Sequence, residues 1–270
     1  MAFPTQTIQK FVKAGYPILN LVSSEEERVE KSLKSIAQKV HGDQAGFYVW
    51  SCTDGITNGA GPVNGTADIL DALDSVLKGD EAGFYFFKDV NYYLGDPRLI
   101  RKLKEVYKNL RKSSRTLFIL SNSLELPVDL EKEIAVVDVD LPDREEAYKI
   151  FDFVLKSYTS EEFQTSIKPN SREACVNALI GLGAVEMELA LRRTSVGKDG
   201  IDADFLEALL EEKAQIVRKS GTLDFVRTRV DIDSVGGLEN LKEWLYSRRM
   251  AFSSDAKKYG LDTPKGLLLM

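Results

Sequence analysis

Residues Leu117–Leu141 read LFILSNSLELPVDLEKEIAVVDVDL. Two apolar runs, Thr116–Leu120 (TLFIL) and Ile134–Val139 (IAVVDV), stand on either side of a polar stretch that begins at Ser121 and Asn122. Each run is continuous rather than alternating, as expected of strands covered on both faces. Towards the N-terminus the same signal recurs at Gly83–Phe87 (GFYFF), Gly46–Trp50 (GFYVW) and Pro17–Val22 (PILNLV). Helical patterns lie between the runs. Glu25–Val40 sets Val29, Leu33, Ile36, Ala37 and Val40 on one face, and Asp68–Leu77 does the same with Ile69, Leu70, Leu73, Val76 and Leu77. Arg98–Leu110 directs Leu99, Leu103, Val106 and Leu110 inward. This alternation predicts an α/β fold, a parallel five-stranded sheet with helices on both faces.

After Leu141 the strand signal stops. Pro142 suits a first helical turn, and Asp143, Glu145 and Glu146 suit its electropositive end. Helical patterns follow at 143–157, 171–180, 184–194 and 203–218, the last with Asp202 as a candidate cap. The expected division is an α/β domain over 1–141, a small helical domain over 142–219, a linker over 220–233 and a new start over 234–270.

Composition bounds the chemistry. The chain has 270 residues, 43% hydrophobic and 29% charged, which is ordinary globular material with enough apolar residues for a sizeable core. Its 36 basic and 42 acidic side chains leave a net charge of −6, which argues against a general nucleic-acid coat protein. Cys52 and Cys175 are too few for a disulfide framework or a structural zinc site, and the single histidine, His41, rules out His-rich metal hydrolases. No apolar stretch approaches a membrane span. Residues 1–24 hold no acid and carry Lys10 and Lys13, a faint transit-peptide pattern, but they lack arginine, and Tyr16–Val22 reads better as a strand.

Residues Val230–Leu245 read VDIDSVGGLENLKEWL, and Thr263–Leu269 read TPKGLLL. The first string resembles the opening segment of an AAA ATPase domain. The second resembles the strand that precedes a Walker A loop. No G-x-x-x-x-G-K-[ST] occurs in the 270 residues, so the resemblance implies the N-terminal part of a longer AAA protein. The first half then resembles an earlier, degenerate P-loop-NTPase-like AAA domain. Leu117–Leu141 is similar to the stretch from the sensor-1 strand to the next strand, with Asn122 at the position of the polar residue that orients attacking water. Leu141–Glu146 (LPDREE) and Gly181–Arg193 (GLGAVEMELALRR) resemble the entrance and a helix of the family's helical lid. YPILNLVSSEEERV, FYFFKD and ILSNSLELPVDLEKE most resemble the conserved hypothetical chloroplast and cyanobacterial AAA reading-frame proteins, reading frame forty-six of that series.

Departures from the family pattern fall on its catalytic parts. At the Walker B position, Lys88 stands where the family has its Mg-associated Asp, and Asp89 matches only the acid that follows. A lysine cannot hold Mg²⁺ through an oxygen ligand. Asp129–Glu133 (DLEKE) supplies no arginine finger, and the glycine-rich loop after Trp50 has no lysine. No catalytic residue is therefore assigned. Lys88, Asp89 and Asn122 are the degenerate site, to be weighed against a solvated strand end and a turn residue. The glycines at 55, 59, 61 and 65 are an anion nest or, more simply, a hairpin or surface loop. Ser23–Glu26 reads as a helix start, and the basic run Arg98–Arg115 as a solvated face or a docking surface. Ser234, Val235 and Gly236 match the adenine-pocket positions of the domain that begins there.

The resemblance implies an N-terminal regulatory and oligomerisation region of a AAA ATPase that couples ATP hydrolysis to remodelling of a protein client. ATP and Mg are implied for the continued chain and not for residues 1–270, and the implied partners are further copies of the protein and an unidentified client. Nucleic acid is not an expected partner. Cyanobacterial cytoplasm or chloroplast stroma is the implied location, with a role tied to photosynthesis. The alternative is a non-enzymatic protein-binding scaffold on a degenerate nucleotide fold.

Overall fold

The computed structural model describes residues 3–42, 45–59, 61–165, 167–219, 236–252, 256 and 259–262. It divides into two units, Met1–Lys219 and Ser220–Met270. The first unit opens with helix α1 (Thr5–Lys13), strand β1 (Ile18–Val22) and helix α2 (Glu26–His41). Strands β2 (Gly46–Ser51) and β3 (Gly55–Thr57), helix α3 (Ile69–Lys78), strand β4 (Gly83–Lys88), helix α4 (Pro97–Leu110), strand β5 (Arg115–Ser121) and strand β6 (Ile134–Asp138) follow.

The sheet order is β3-β2-β4-β5-β1-β6. β2, β4, β5, β1 and β6 run parallel, and β3 pairs antiparallel with β2. The expected five parallel strands are present, and the sheet is mixed because a sixth strand joins at the edge. β5 pairs with β4 on one side and β1 on the other, and every one of its residues is buried, as its apolar sequence requires. The pleat sorts side chains between two layers. Ile18, Trp50, Tyr85, Phe87, Leu117 and Ile119 face α3 and α4, where Leu73, Val76, Leu99, Leu103 and Val106 meet them. Leu19, Leu21, Phe84, Phe86, Phe118 and Leu120 face α1 and α2, where Ile8, Val29, Leu33 and Ile36 meet them.

The structure corrects some of these expectations and decides between alternatives in others. Residues 5–13 form a helix that buries Ile8 in the layer with α2, an element the sequence reading did not place. The glycine-rich loop begins as a hairpin: Gly55, at φ +68°, opens β3, and a Cβ there would stand 2.7 Å from the Thr66 hydroxyl. Thr66 pins the loop, its hydroxyl accepting from the Ile56 N–H at 2.8 Å and its carbonyl from Trp50 Nε1 at 2.8 Å. Arg115 does not belong to the basic helix. It starts β5 and is buried, its guanidinium donating to the Val76 carbonyl at 2.5 Å and the Asn109 side chain at 2.9 Å. Four of the five bases of α4 have acids at hand, Arg98 with Asp96, Arg101 with Glu105, Lys102 with Asp74 and Lys104 with Asp129, which favours the solvated-face reading of that helix.

Beyond β6 the unit is helical: α5 (Arg144–Tyr158), α6 (Glu161–Thr165), α7 (Pro169–Leu179), α8 (Ala184–Ser195) and α9 (Ala203–Lys219). Pro142 precedes α5 rather than opening it, and Asp143 caps it in a capping box with Glu146. Phe151, Phe163, Leu179, Met187, Leu191 and Phe205 form a separate core. Asp202 accepts from the Phe205 N–H at 2.7 Å, the cap expected for α9. Burial pushes the Cys175 thiol up to about 12, so it is an inert core residue. In the second unit, α10 (Glu239–Arg248) begins within the GGLENLKEWL stretch. Among the described residues no helix is long and apolar enough to cross a membrane.

Strands β2 and β4 approach each other through paired glycines, Gly46 opposite Gly83. A Cβ on Gly83 would lie 2.3 Å from the Gly46 carbonyl oxygen, a backbone atom that cannot swing aside. Gly83→Ala is expected to destabilise the chain by on the order of 1–3 kcal/mol, read as a lower urea midpoint. An unchanged midpoint would mean that the two strands are not in this register.

Candidate functional site

In open α/β sheets ligands bind outside the carboxyl ends of the strands, where the strand order reverses. Here that point is β1, which sits between β5 and β6 while the next strand in the chain, β2, lies three places away. β1, β5 and β4 lie side by side and end at Val22, Ser121 and Lys88. Only Ser23, Ser24 and Glu25 link β1 to α2. The turn is tight because the Ser23 N–H donates to the Ser121 carbonyl at 2.9 Å and the Glu25 N–H to the Ser23 hydroxyl at 3.1 Å. Beneath it, buried Ser121 Oγ donates to the Asn20 side-chain oxygen at 3.1 Å.

Two ion-pair clusters stand at this end of the sheet. In the first, Glu25 Oε2 meets Arg28 Nη1 at 2.5 Å, and Arg28 Nη2 meets Glu146 Oε2 at 2.6 Å. Arg28 Nη1 also donates to the Asp140 carbonyl at 2.7 Å. The other oxygen of Glu25 accepts from the Ala184 N–H, in the first turn of α8. In the second cluster, Lys88 Nζ lies 2.7 Å from Glu26 and 2.9 Å from Glu30, both on α2. The period-two pleat places Lys88 on the same face as Phe84 and Phe86, towards that helix. Burial works against its ammonium, but hydrogen bonds to Glu26 and Glu30 outweigh this and hold the Lys88 pKa above its ordinary value.

The sequence-derived site residues therefore separate. Lys88 is not a solvated strand end; it is a mostly covered cation held by two carboxylates. Asp89 is exposed, at φ 59° in the left-handed region, and opens a short 3₁₀ turn. Asn122 is exposed in a bend just past β5, the turn position. Gly236 is exposed and irregular, while Ser234, Val235, the 220–233 linker and Thr263–Leu269 lie outside the described residues. Glu25, Arg28 and Glu146 were not picked out from sequence as a functional group. The available signal was the run Glu25–Glu26–Glu27 directly after a strand, where a phosphate-binding fold presents glycine and lysine.

The residues present do not fit a magnesium triphosphate in this crevice. Helix N-termini attract anions, but the turn before α2 has neither glycine nor lysine. Glu25 and Glu26 already stand there, and the cations within reach, Arg28 and Lys88, are taken by Glu25, Glu146, Glu26 and Glu30. A further polyanion would meet carboxylates at close range.

Comparison with known proteins bears on this geometry. The SpoVK-like AAA ATPase N-terminal domain matches residues 4–139, and the second domain of the same family matches residues 145–220. The uncharacterized AAA domain-containing protein ycf46 of Trieres chinensis is 30% identical over 265 residues, covering 96% of this chain and 51% of the relative. That of Guillardia theta is 31% identical over 263 residues, 96% of this chain and 50% of the relative. The chain thus spans about half the length of the curated relatives it matches. Among solved structures, the FIGL-1 AAA domain in complex with ADP superposes with a TM-score of 0.52 at 15% identity, covering 90% of this chain and 83% of that one. At that identity the likeness shows the fold alone. With both family domains present in order over residues 4–220, the chain belongs to the SpoVK-like AAA ATPase family, as a ycf46-like member.

Proposed function

We propose that residues 1–219 are a non-hydrolysing regulatory and oligomerisation region, and that the protein couples ATP hydrolysis in a domain continuing past Met270 to remodelling of a protein client. One observation carries this: at the carboxyl end of the sheet, acids stand where a phosphate would bind and the nearby cations are held in the Glu25–Arg28–Glu146 and Lys88–Glu26–Glu30 ion pairs. A fold of the AAA type whose own phosphate position is filled with acids serves as a scaffold, not as a catalyst. In this reading 1–141 is the degenerate AAA domain, 142–219 its lid, 220–233 a linker and 234–270 the start of the active domain. Ser234, Val235 and Gly236 would line the adenine pocket of the active domain, which would take ATP and Mg. Lys88, Asp89 and Asn122 are the remnant of the first site. Self-assembly through the AAA fold and a location in chloroplast stroma or cyanobacterial cytoplasm complete the proposal.

The 1–270 chain is expected to release no phosphate from ATP above the enzyme-free rate. Steady-state turnover that disappears on substituting Lys88 or Asp89 would overturn the reading.

The Lys88 pairs also generate a pH signature. A lysine whose pKa is raised on folding contributes stability that is fully present below its unfolded value of 10.5, and loses it as pH climbs through the higher folded value. Lys88→Met is expected to cost about 1 kcal/mol at neutral pH, since the pairs are partly solvated. The gap between wild type and variant should hold up to about pH 10.5 and shrink above it, as followed by urea denaturation over an alkaline series. A gap that grows in alkali would show that Lys88 is not held as a paired cation.

A further inference from the structure

Resting on the reading that this crevice takes no nucleotide, we infer that the Glu25 carboxylate is a built-in anion standing in for a bound phosphate group, and that it keeps the helical layer docked on the sheet without a ligand. Glu25 precedes α2 directly, at the electropositive end of that helix, and its Oε1 accepts from the Ala184 N–H at the electropositive end of α8. Glu25 takes no amide of its own helix, so its carboxylate is free to tie the start of α2 to the N-terminus of α8, elements of two different cores. The local chemistry makes room for it. Glu186 already takes the Gly183 N–H at 2.8 Å, which leaves the next amide to Glu25. A Cβ at Gly183 would come within 3.1 Å of Glu25 Oε1, so glycine at that position gives the carboxylate its approach.

Glu25 is 8% exposed, and a buried anion persists only when compensated. Arg28 supplies the opposite charge and extends it to the Asp140 carbonyl and Glu146, which belong to the connection into the helical layer and to α5. Glu25 and Arg28 together thus join α2 to the connection after β6, to α5 and to α8. A free anion would dock the layers only in proportion to its occupancy. A tethered carboxylate is always present, so the docked arrangement does not follow nucleotide concentration.

The test is a spin-label distance measurement between Ser35→Cys on α2 and Leu189→Cys on α8, both exposed positions, in a Cys52→Ser background of the 1–270 chain. With Glu25 present, one narrow distribution is expected, unchanged by ATP and magnesium. Glu25→Ala should broaden and lengthen it, and inorganic phosphate should narrow it again by entering beside Arg28 and the Ala184 amide. Glu27→Ala, an exposed neighbour, should leave the distribution as it was. A Glu25→Ala distribution identical to wild type, or broadening that phosphate does not reverse, would overturn the inference. Should Glu25→Ala fail to fold, Glu25→Gln provides the second arm. It keeps an oxygen for Ala184 but loses the charge opposite Arg28, so faster Ala184 amide exchange that phosphate slows supports the built-in anion, and exchange at the wild-type rate overturns it. ATP turnover by the chain would sink the functional proposal while leaving these distances to be judged by themselves.

Discussion

The guanidinium of Arg28 is the joint on which this molecule depends. It lies between carboxylates of two layers, Glu25 at the head of α2 and Glu146 in the capping box of α5, and it also takes the Asp140 carbonyl. Arginine suits the position because its planar fork can serve several acceptors at once and its charge is permanent. Removing one member of such a mostly buried group strands the others, at a cost on the order of 3–5 kcal/mol. The sheet packs without it, since its two apolar layers are continuous on their own. The helical layer has its own core as well. What Arg28 and Glu25 fix is the relation between those two bodies.

Much of the architecture was legible because strands buried on both faces must be apolar throughout. β1, β2, β4, β5 and β6 all fall within a residue or so of their apolar runs, and the central place of β5 follows from having no polar face to offer water. β3 was legible only as the hairpin alternative for the glycine-rich loop, because its three residues carry no apolar run and Thr66 pins the return. α1 was missed for a related reason, being nine residues with no acid in the first turn and a stripe short enough to pass for a loop. The surroundings of Lys88 could have been drawn from periodicity. It shares a face with Phe84 and Phe86, and Glu26 and Glu30 are four apart on one side of a helix. The Glu25–Arg28–Glu146 group could not, because Glu146 is 118 residues from Arg28 and only the folded chain brings them together.

A nucleotide-type fold without glycine or lysine in the turn after its first strand still has to manage the same electrostatics. The amide ends of the helices remain where the topology puts them, beside the carboxyl ends of the parallel strands, and they favour negative charge. This chain meets that demand with side chains of its own. The acids after β1 complement the helix dipoles, and Lys88 and Arg28 complement the acids. The residues that stand in place of a phosphate cradle are thus the ones that balance one another's charge at this end of the sheet.

The β2–β3 hairpin has a consequence at the far end of the sheet. β3 is the outermost strand there, and its free side is met by the returning loop, with Thr57 bridging Pro62 and the Val63 N–H donating to the Ile56 carbonyl at 2.7 Å. Proline brings no N–H to offer a neighbour, and three residues make a poor template for strand addition. Runaway edge-to-edge growth, the route by which flat sheets become fibrils, is therefore stopped at this border.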